Sequence, residues 1–295
     1  MLDQLRKYQS KPESLCDLSV LIPSWNNLNY LKYCLQFIQK NSTQKIQVII
    51  AINEGIDGTT EWVAQQQWID YIHFPINYGI CYTMNLCRSM VQSDLIVYLN
   101  DDMLVLPQWD TEILKTVGSL PTKMYYLSGT MIEPTDTGNP CAIVQDFGNE
   151  PKMLQEDNLL KFHQQIHKQD WNGASWPPCI IHKDCWDLVG GFSVEFSPGF
   201  YSDPDLSKKL YDAGVRIFKG IGACRVYHFG SKSTKRIQKT KRKNTGRSLF
   251  ISKWSMSANY FYKKVLLMGQ QYSVLKQNFE ISFFDKVKSI LSKLF

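Results

Sequence analysis

The sequence predicts an α/β domain: a mostly parallel sheet flanked by helices, with a helical extension at the C-terminal end. Two observations carry this. Between residues 18 and 99, short apolar runs with strand character alternate with segments whose apolar residues recur at helical spacing, and each run ends in a polar turn bearing Asn, Gly or Asp. No internal repeat competes with that alternation.

The elements follow in order. Residues 18–23 (Leu-Ser-Val-Leu-Ile-Pro) read as a buried strand that proline stops, and Ser24-Trp25-Asn26-Asn27 as the turn after it. Leu28, Leu31, Leu35 and Ile38 then share one helical face, predicting an amphipathic helix to about Lys40. A second strand over 46–52 ends in the polar loop 53–59, and a helix spans 60–67. A short strand at 71–74 leads to Asn77-Tyr78-Gly79, and a helix over 80–91 precedes the strand 95–99. Strand and helix in strict alternation argue for parallel, doubly wound pairing.

The second half is less regular. Residues 125–131 and 142–147 read as strands, while 148–170 is polar with weak periodicity. Trp171 to Pro178 is a loop rich in aromatics and turn formers. Residues 179–182 form a strand, 183–189 a short helix, and Gly190-Gly191 its left-handed end. A helix following Asp205, then strands at 215–218 and 223–229, complete the domain.

Composition excludes several classes. An apolar fraction of 44% over 295 residues is ample for a real core, and no membrane-spanning stretch is visible. The first residues are charged and polar, so a cytoplasmic residence is expected. Eight cysteines without a C-x-x-C pair are expected to be reduced and mostly buried. The net charge of +6 is modest but concentrated, because Lys232, Lys235, Arg236, Lys239, Lys241, Arg242, Lys243 and Arg247 form one cluster.

The chemistry concentrates where residues 95–103 (Leu-Ile-Val-Tyr-Leu-Asn-Asp-Asp-Met) deliver Asp101 and Asp102 at a strand's C-terminal end, the edge where open α/β sheets bind ligands. Carboxylates are hard oxygen donors, and a cation held by one or two of them also binds diphosphate oxygens. The remaining motifs are Ser19 to Asn26, Asn53-Glu54-Gly55, Asn77-x-Gly79 with Asn85 beyond, Ser93-Asp94, Gly190-Gly191-Phe192, Asp203-x-Asp205-Leu206, Ala213-Gly214, His228-x-Gly230-Ser231 and Phe250-x-x-Lys253-Trp254. In this order, over about residues 17–254, the chain resembles family 2 glycosyltransferases.

That resemblance implies a Rossmann-like GT-A fold, a nucleotide-sugar donor (a UDP-sugar favoured), a divalent cation, Mn²⁺ or Mg²⁺, and inversion at the anomeric carbon. It assigns Pro23, Ser24, Trp25, Asn26, Glu54, Asp57, Asn77, Gly79, Asn85 and Asp101 to the nucleotide sugar, and Asp102 with His228 to the metal. Asn53-Glu54 stands where the family more often has Asp-Asp, and Asn100 replaces the first acid of the D-x-D element. Asp203 aligns with the general base, which takes the acceptor hydroxyl proton as that oxygen attacks. Asp205, its competitor, is expected to stabilise a helix N-terminus or to face the acceptor. Trp176, in a Pro-rich loop, is an acceptor-site candidate, whereas Trp186 is expected in the core.

The acceptor is expected to be a glycan or a lipid-linked glycan. In the tail, Ile281, Phe284, Val287, Leu291 and Leu294 share a helical face, so this segment either contacts an anionic membrane peripherally, aided by the basic cluster, or packs back on the domain. The expected division is an N-terminal extension to residue 16, a glycosyltransferase domain over 17–230 (nucleotide half 17–105, acceptor half 106–230), a basic mobile loop over 231–248, and C-terminal helices from 249. Two rivals are weaker. A sugar nucleotidyltransferase would carry a Gly-rich basic loop after the first strand, where this chain has Ser-Trp-Asn-Asn. A nucleic-acid-binding protein accounts for the basic cluster alone, so nucleic acid is not the favoured partner.

Overall fold

The computed structural model describes residues 5–10, 15–230 and 242–275. One sheet organises them. Its strands are β1 (Arg6–Tyr8), β2 (Leu18–Trp25), β3 (Ile46–Asn53), β4 (Ile69–Phe74), β5 (Leu95–Tyr98), β6 (Met103–Val105), β7 (Tyr125–Glu133), β8 (Ile143–Val144), β9 (Trp171–Asn172), β10 (Cys179–His182) and β11 (Ile217–His228). The helices are α1 (Leu28–Asn41), α2 (Thr59–Ala64), α3 (Ile80–Cys87), α4 (Trp109–Ser119), α5 (Glu156–Gln165), α6 (Lys183–Val189), α7 (Ser202–Asp212) and α8 (Arg242–Trp254).

The order along the sheet is β1-β4-β3-β2-β5-β10-β7-β11-β6. Strands β4, β3, β2 and β5 are parallel, as alternation predicts, whereas β10 runs antiparallel to both β5 and β7. Alternate residues of one strand feed separate cores: Val20, Ile22, Val48 and Ile50 pack on one face, Leu21 and Ile49 on the other. A sheet buried on both faces needs continuous apolar strands, which is why these segments read as unbroken apolar runs.

Chain order reverses between β2 and β5. The three strands β2, β3 and β4 build outwards in one direction, and β5 then returns to the other side of β2. That leaves a crevice at the carboxyl ends of β2 and β5, the place where doubly wound sheets bind ligands.

Several expectations are corrected. Pro23 does not stop its strand: β2 continues to Trp25, with Pro23 opposite Ala51 of β3 and beyond the Ser19–Leu21 stretch that pairs with β5. A proline is tolerated there because its missing N–H falls past the end of the β5 ladder. The two strands expected at 215–218 and 223–229 are one, β11, whose register shifts between Ile221 and Arg225. The polar stretch 148–170 contains α5, whose apolar face is narrow, with Leu159 and His163 buried. Helix α7 starts at Ser202, so Asp203 and Asp205 both lie in its first turn. Helix α8 begins at Arg242, inside the span expected as a loop to residue 248. The rest of the basic cluster and the tail from 276 lie outside the described residues. All eight cysteines are free thiols, and all but Cys16 are buried.

Candidate active site

The switch point opens into a cavity of about 470 Å³, a size that suits a small-molecule ligand. Its walls include Pro23, Ser24 and Trp25 of β2, Asn53 of β3, Asn77 and Gly79 before α3, and Asn100 to Met103 after β5. They also include Glu133 ending β7, His228 ending β11, Thr137 to Asn139, Trp176, and Pro198 to Tyr201 with Asp203. Gly79 is required where the turn before α3 meets the Pro198 loop. It holds φ +78, and a Cβ there would lie 2.5 Å from the Pro198 backbone, while the next amide, Ile80, donates to the Pro198 carbonyl at 3.1 Å.

The adjacent acids have different partners. Asp101, buried, accepts from Ser24 Oγ at 2.8 Å and from Asn27 Nδ2 at 2.9 Å, which fastens the β5 end to the turn after β2. Asp102, also buried, faces His228, with Oδ1 3.5 Å from Nε2. On its other edge, His228 Nδ1 lies 2.8 Å from Glu133 Oε1, and the Thr137 hydroxyl donates to Glu133 Oε2 at 2.8 Å. Burial pulls the His228 pKa down, but the flanking charges and hydrogen bonds of Asp102 and Glu133 outweigh it and raise the value to about 10. Burial raises Glu133, and the hydrogen bonds from His228 and Thr137 bring it below the usual carboxylate range.

Asp203 lines the same cavity. Its Oδ1 is shielded from solvent and has no hydrogen-bond partner among the described residues. Burial alone raises this carboxyl from 3.8 to about 7. A carboxylate poised near neutrality is suited to accepting a proton.

The nucleotide-side residues divide. Pro23, Ser24, Trp25, Asn77, Gly79 and Asp101 line the cavity. Asn26, Glu54, Asp57 and Asn85 are not among its lining residues, and hydrogen bonds show what they hold. Glu54, at φ +62, accepts from Trp25 Nε1 at 2.9 Å and Asn26 Nδ2 at 2.8 Å, so it orients a lining tryptophan from behind. Asp57 accepts from the Leu28 and Thr59 amides, at the starts of α1 and α2. Asn85 pairs both ways with the Phe192 backbone, at 2.7 and 2.9 Å, tying α3 to the Gly190-Gly191 turn.

Trp176, expected to face an acceptor, lines the cavity and meets Tyr262 edge-on at 5.3 Å, whereas Trp171 and Trp186 are buried. Asp205 does not line the cavity. Fully buried, it accepts from Ser193 Oγ and from Trp254 Nε1 at 2.8 Å, and pairs with Lys253 Nζ at 2.9 Å, which fixes α8 against α7. Glu133, Thr137, Asn139 and Tyr201 are lining residues that the sequence did not single out. Nothing local set Glu133 apart, since every residue of β7 is buried.

The residues fit a divalent cation in part. Donors bonded to one ion at about 2.1 Å stand roughly 3 Å apart, close to the 3.5 Å between Asp102 Oδ1 and His228 Nε2. A carboxylate on the far nitrogen, as Glu133 supplies, is the usual companion of a metal-bound histidine. Among the described residues no group of three or more His, Cys, Asp or Glu side chains gathers to hold an ion unaided, so a cation here would draw further oxygens from its ligand or from water.

A mostly parallel sheet flanked by helices, with a carboxylate-lined switch point, defines a GT-A fold. The chain belongs to glycosyl transferase family 2, whose model matches residues 19–169. It is 22% identical over 211 residues to the uncharacterized protein y4gI of Sinorhizobium fredii (strain NBRC 101917 / NGR234), covering 67% of this chain and 23% of that protein, so it spans under a quarter of that relative's length. Among solved structures, S. aureus TarS 1-349 superposes with a TM-score of 0.54 at 11% identity, covering 84% of this chain and 75% of that one. GalNAc-T7, solved with UDP, GalNAc and Mn²⁺, gives a TM-score of 0.54 at 10% identity, covering 88% and 56%. The UDP complex of the same TarS fragment gives 0.53 at 9% identity, covering 83% and 72%. At such identities the likeness is one of fold.

Proposed function

We propose that this protein is an inverting glycosyltransferase that moves a sugar from a nucleotide-sugar donor, a UDP-sugar by preference, to a hydroxyl of a glycan or lipid-linked acceptor. The observation that carries the proposal is that one cavity holds two chemistries: the Asp102–His228 pair, and the buried carboxyl of Asp203, whose Oδ1 has no hydrogen-bond partner among the described residues. Both the family and the UDP bound in two of the superposed structures support it.

In this reading the turn from Pro23 to Trp25, with Asn53 and Asn77, seats the nucleotide, and Glu54 fixes the indole of Trp25 from behind. Asp102 and His228 hold Mn²⁺ or Mg²⁺, which, when bound, offsets the charge that the departing diphosphate gains. Asp203 Oδ1 takes the proton of the acceptor hydroxyl as that oxygen attacks the anomeric carbon from the face opposite the diphosphate. Burial makes this carboxylate a stronger base than one in water. Trp176 offers a ring face for an acceptor sugar. A lipid-linked acceptor is favoured by the composition of the basic cluster and tail, and sedimentation with anionic vesicles at low but not high salt tests it.

The decisive experiment incubates UDP-, GDP- and dTDP-sugars with Mn²⁺ and follows the anomeric proton of the released or transferred sugar by NMR. An α-linked donor giving a β product is expected. Retention of configuration, or no sugar release from any donor, overturns the proposal.

A further inference from the structure

We propose that Glu133 is a positioning residue for cation binding: it holds the imidazole of His228 so that Nε2 faces Asp102, and the affinity of the site for a divalent ion depends on it without Glu133 touching the ion. The inference rests on reading Asp102 and His228 as the cation's protein ligands.

The geometry comes from the sheet. β7 and β11 are parallel neighbours, with Ile132 opposite Tyr227, so the next residue of each strand, Glu133 and His228, emerges on the same edge. Both side chains are buried, and Glu133 is 4% exposed. A histidine binds a cation as the neutral ring, and only the tautomer with hydrogen on Nδ1 carries a lone pair on Nε2. The Glu133 carboxylate, 2.8 Å from Nδ1, favours that form and fixes the ring plane. Its own freedom is removed in turn: Oε2 accepts from the Thr137 hydroxyl, so the carboxylate is held at both oxygens. No lysine or arginine contacts Glu133 in an ion pair among the described residues, and its ion-pair partner there is His228.

The test measures Mn²⁺ binding to the full chain by the EPR signal of free Mn²⁺, with and without UDP, for wild type, Glu133→Ala, Glu133→Gln and Asp102→Ala. Glu133→Ala is expected to weaken Mn²⁺ about 10–100-fold, and Glu133→Gln, which keeps an acceptor of similar shape, by less. Melting curves accompany each variant, and if Glu133→Ala does not fold, Glu133→Gln alone decides by whether it weakens Mn²⁺ binding. Wild-type Mn²⁺ affinity in the folded Glu133 variants, with binding lost in Asp102→Ala, overturns the positioning role and leaves the cation site standing. No Mn²⁺ binding by the wild-type protein overturns both.

Discussion

The carboxyl of Asp203 is held near neutrality by burial alone, and this sets two measurable expectations. Because the group must be ionised to accept a proton, kcat/KM should rise with pH through about 7, and Asp203→Asn should lower turnover by about 10²-fold or more with donor affinity kept. Stability runs the other way. The folded pKa lies above the unfolded value, so Asp203 contributes its full stabilisation at pH below about 4, and this is lost as pH rises through about 7. Asp203→Asn should therefore melt above wild type at pH 8, with the gap narrowing at pH 5; an unchanged gap would show that the carboxyl is not shielded. If instead Asp205→Asn is the inactive variant and Asp203→Asn is active, the assignment of the base is wrong. Asp102, His228 and Asp203 were legible in the sequence because each follows a strand or opens a helix in a patterned context. Glu133 was not, because all nine residues of β7 are buried and nothing in such a run marks its last member.

At the scale of elements, a buried acid helps to join α7 and α8. Asp205 gathers Ser193, Lys253 and Trp254, so the helix that carries Asp203 is braced from the far end of the domain. Removing one member of a buried charged group strands the others, and Asp205→Ala should cost about 3 kcal/mol, read from the denaturant midpoint. Activity remaining in the folded fraction would separate this bracing from chemistry. Helix boundaries in the first half were legible to within a few residues, since buried faces there are broad and turns carry Gly and Asn. The role of Asp205 was hidden because its partners stand 12, 48 and 49 residues away in sequence. Helix α5 was hidden for another reason, its buried stripe being only Leu159 and His163.

For the whole molecule, the parallel half was legible because a doubly wound sheet demands alternating elements. The insertion of β10 between β5 and β7 was not: pairing partners far apart in sequence leave no local periodicity. A ligand that binds only the folded state stabilises the entire domain, so a UDP-sugar with Mn²⁺ at a hundredfold excess over Kd should raise Tm by roughly 4 °C. Scanning fluorimetry checks this, and the rise should vanish in Asp102→Ala when that variant is compared with its own ligand-free melt. No helix among the described residues is long and apolar enough to cross a membrane.

The two neighbouring acids at the end of β5 have a consequence for how variants of this protein will be sorted. Asp101 secures Ser24 and Asn27, whereas Asp102 points at His228. A mutational scan scored only by product formed would rank both positions as equally intolerant. Scored by cellular abundance they should part, because hydrogen bonds to a buried charge are worth about 1.5–3 kcal/mol and a loss of that size lowers the steady-state amount of a marginally stable protein several-fold. Asp101 substitutions should thus be the more depleted in the abundance screen, because two short hydrogen bonds are lost there, whereas after loss of Asp102 the His228 ring keeps its bond to Glu133.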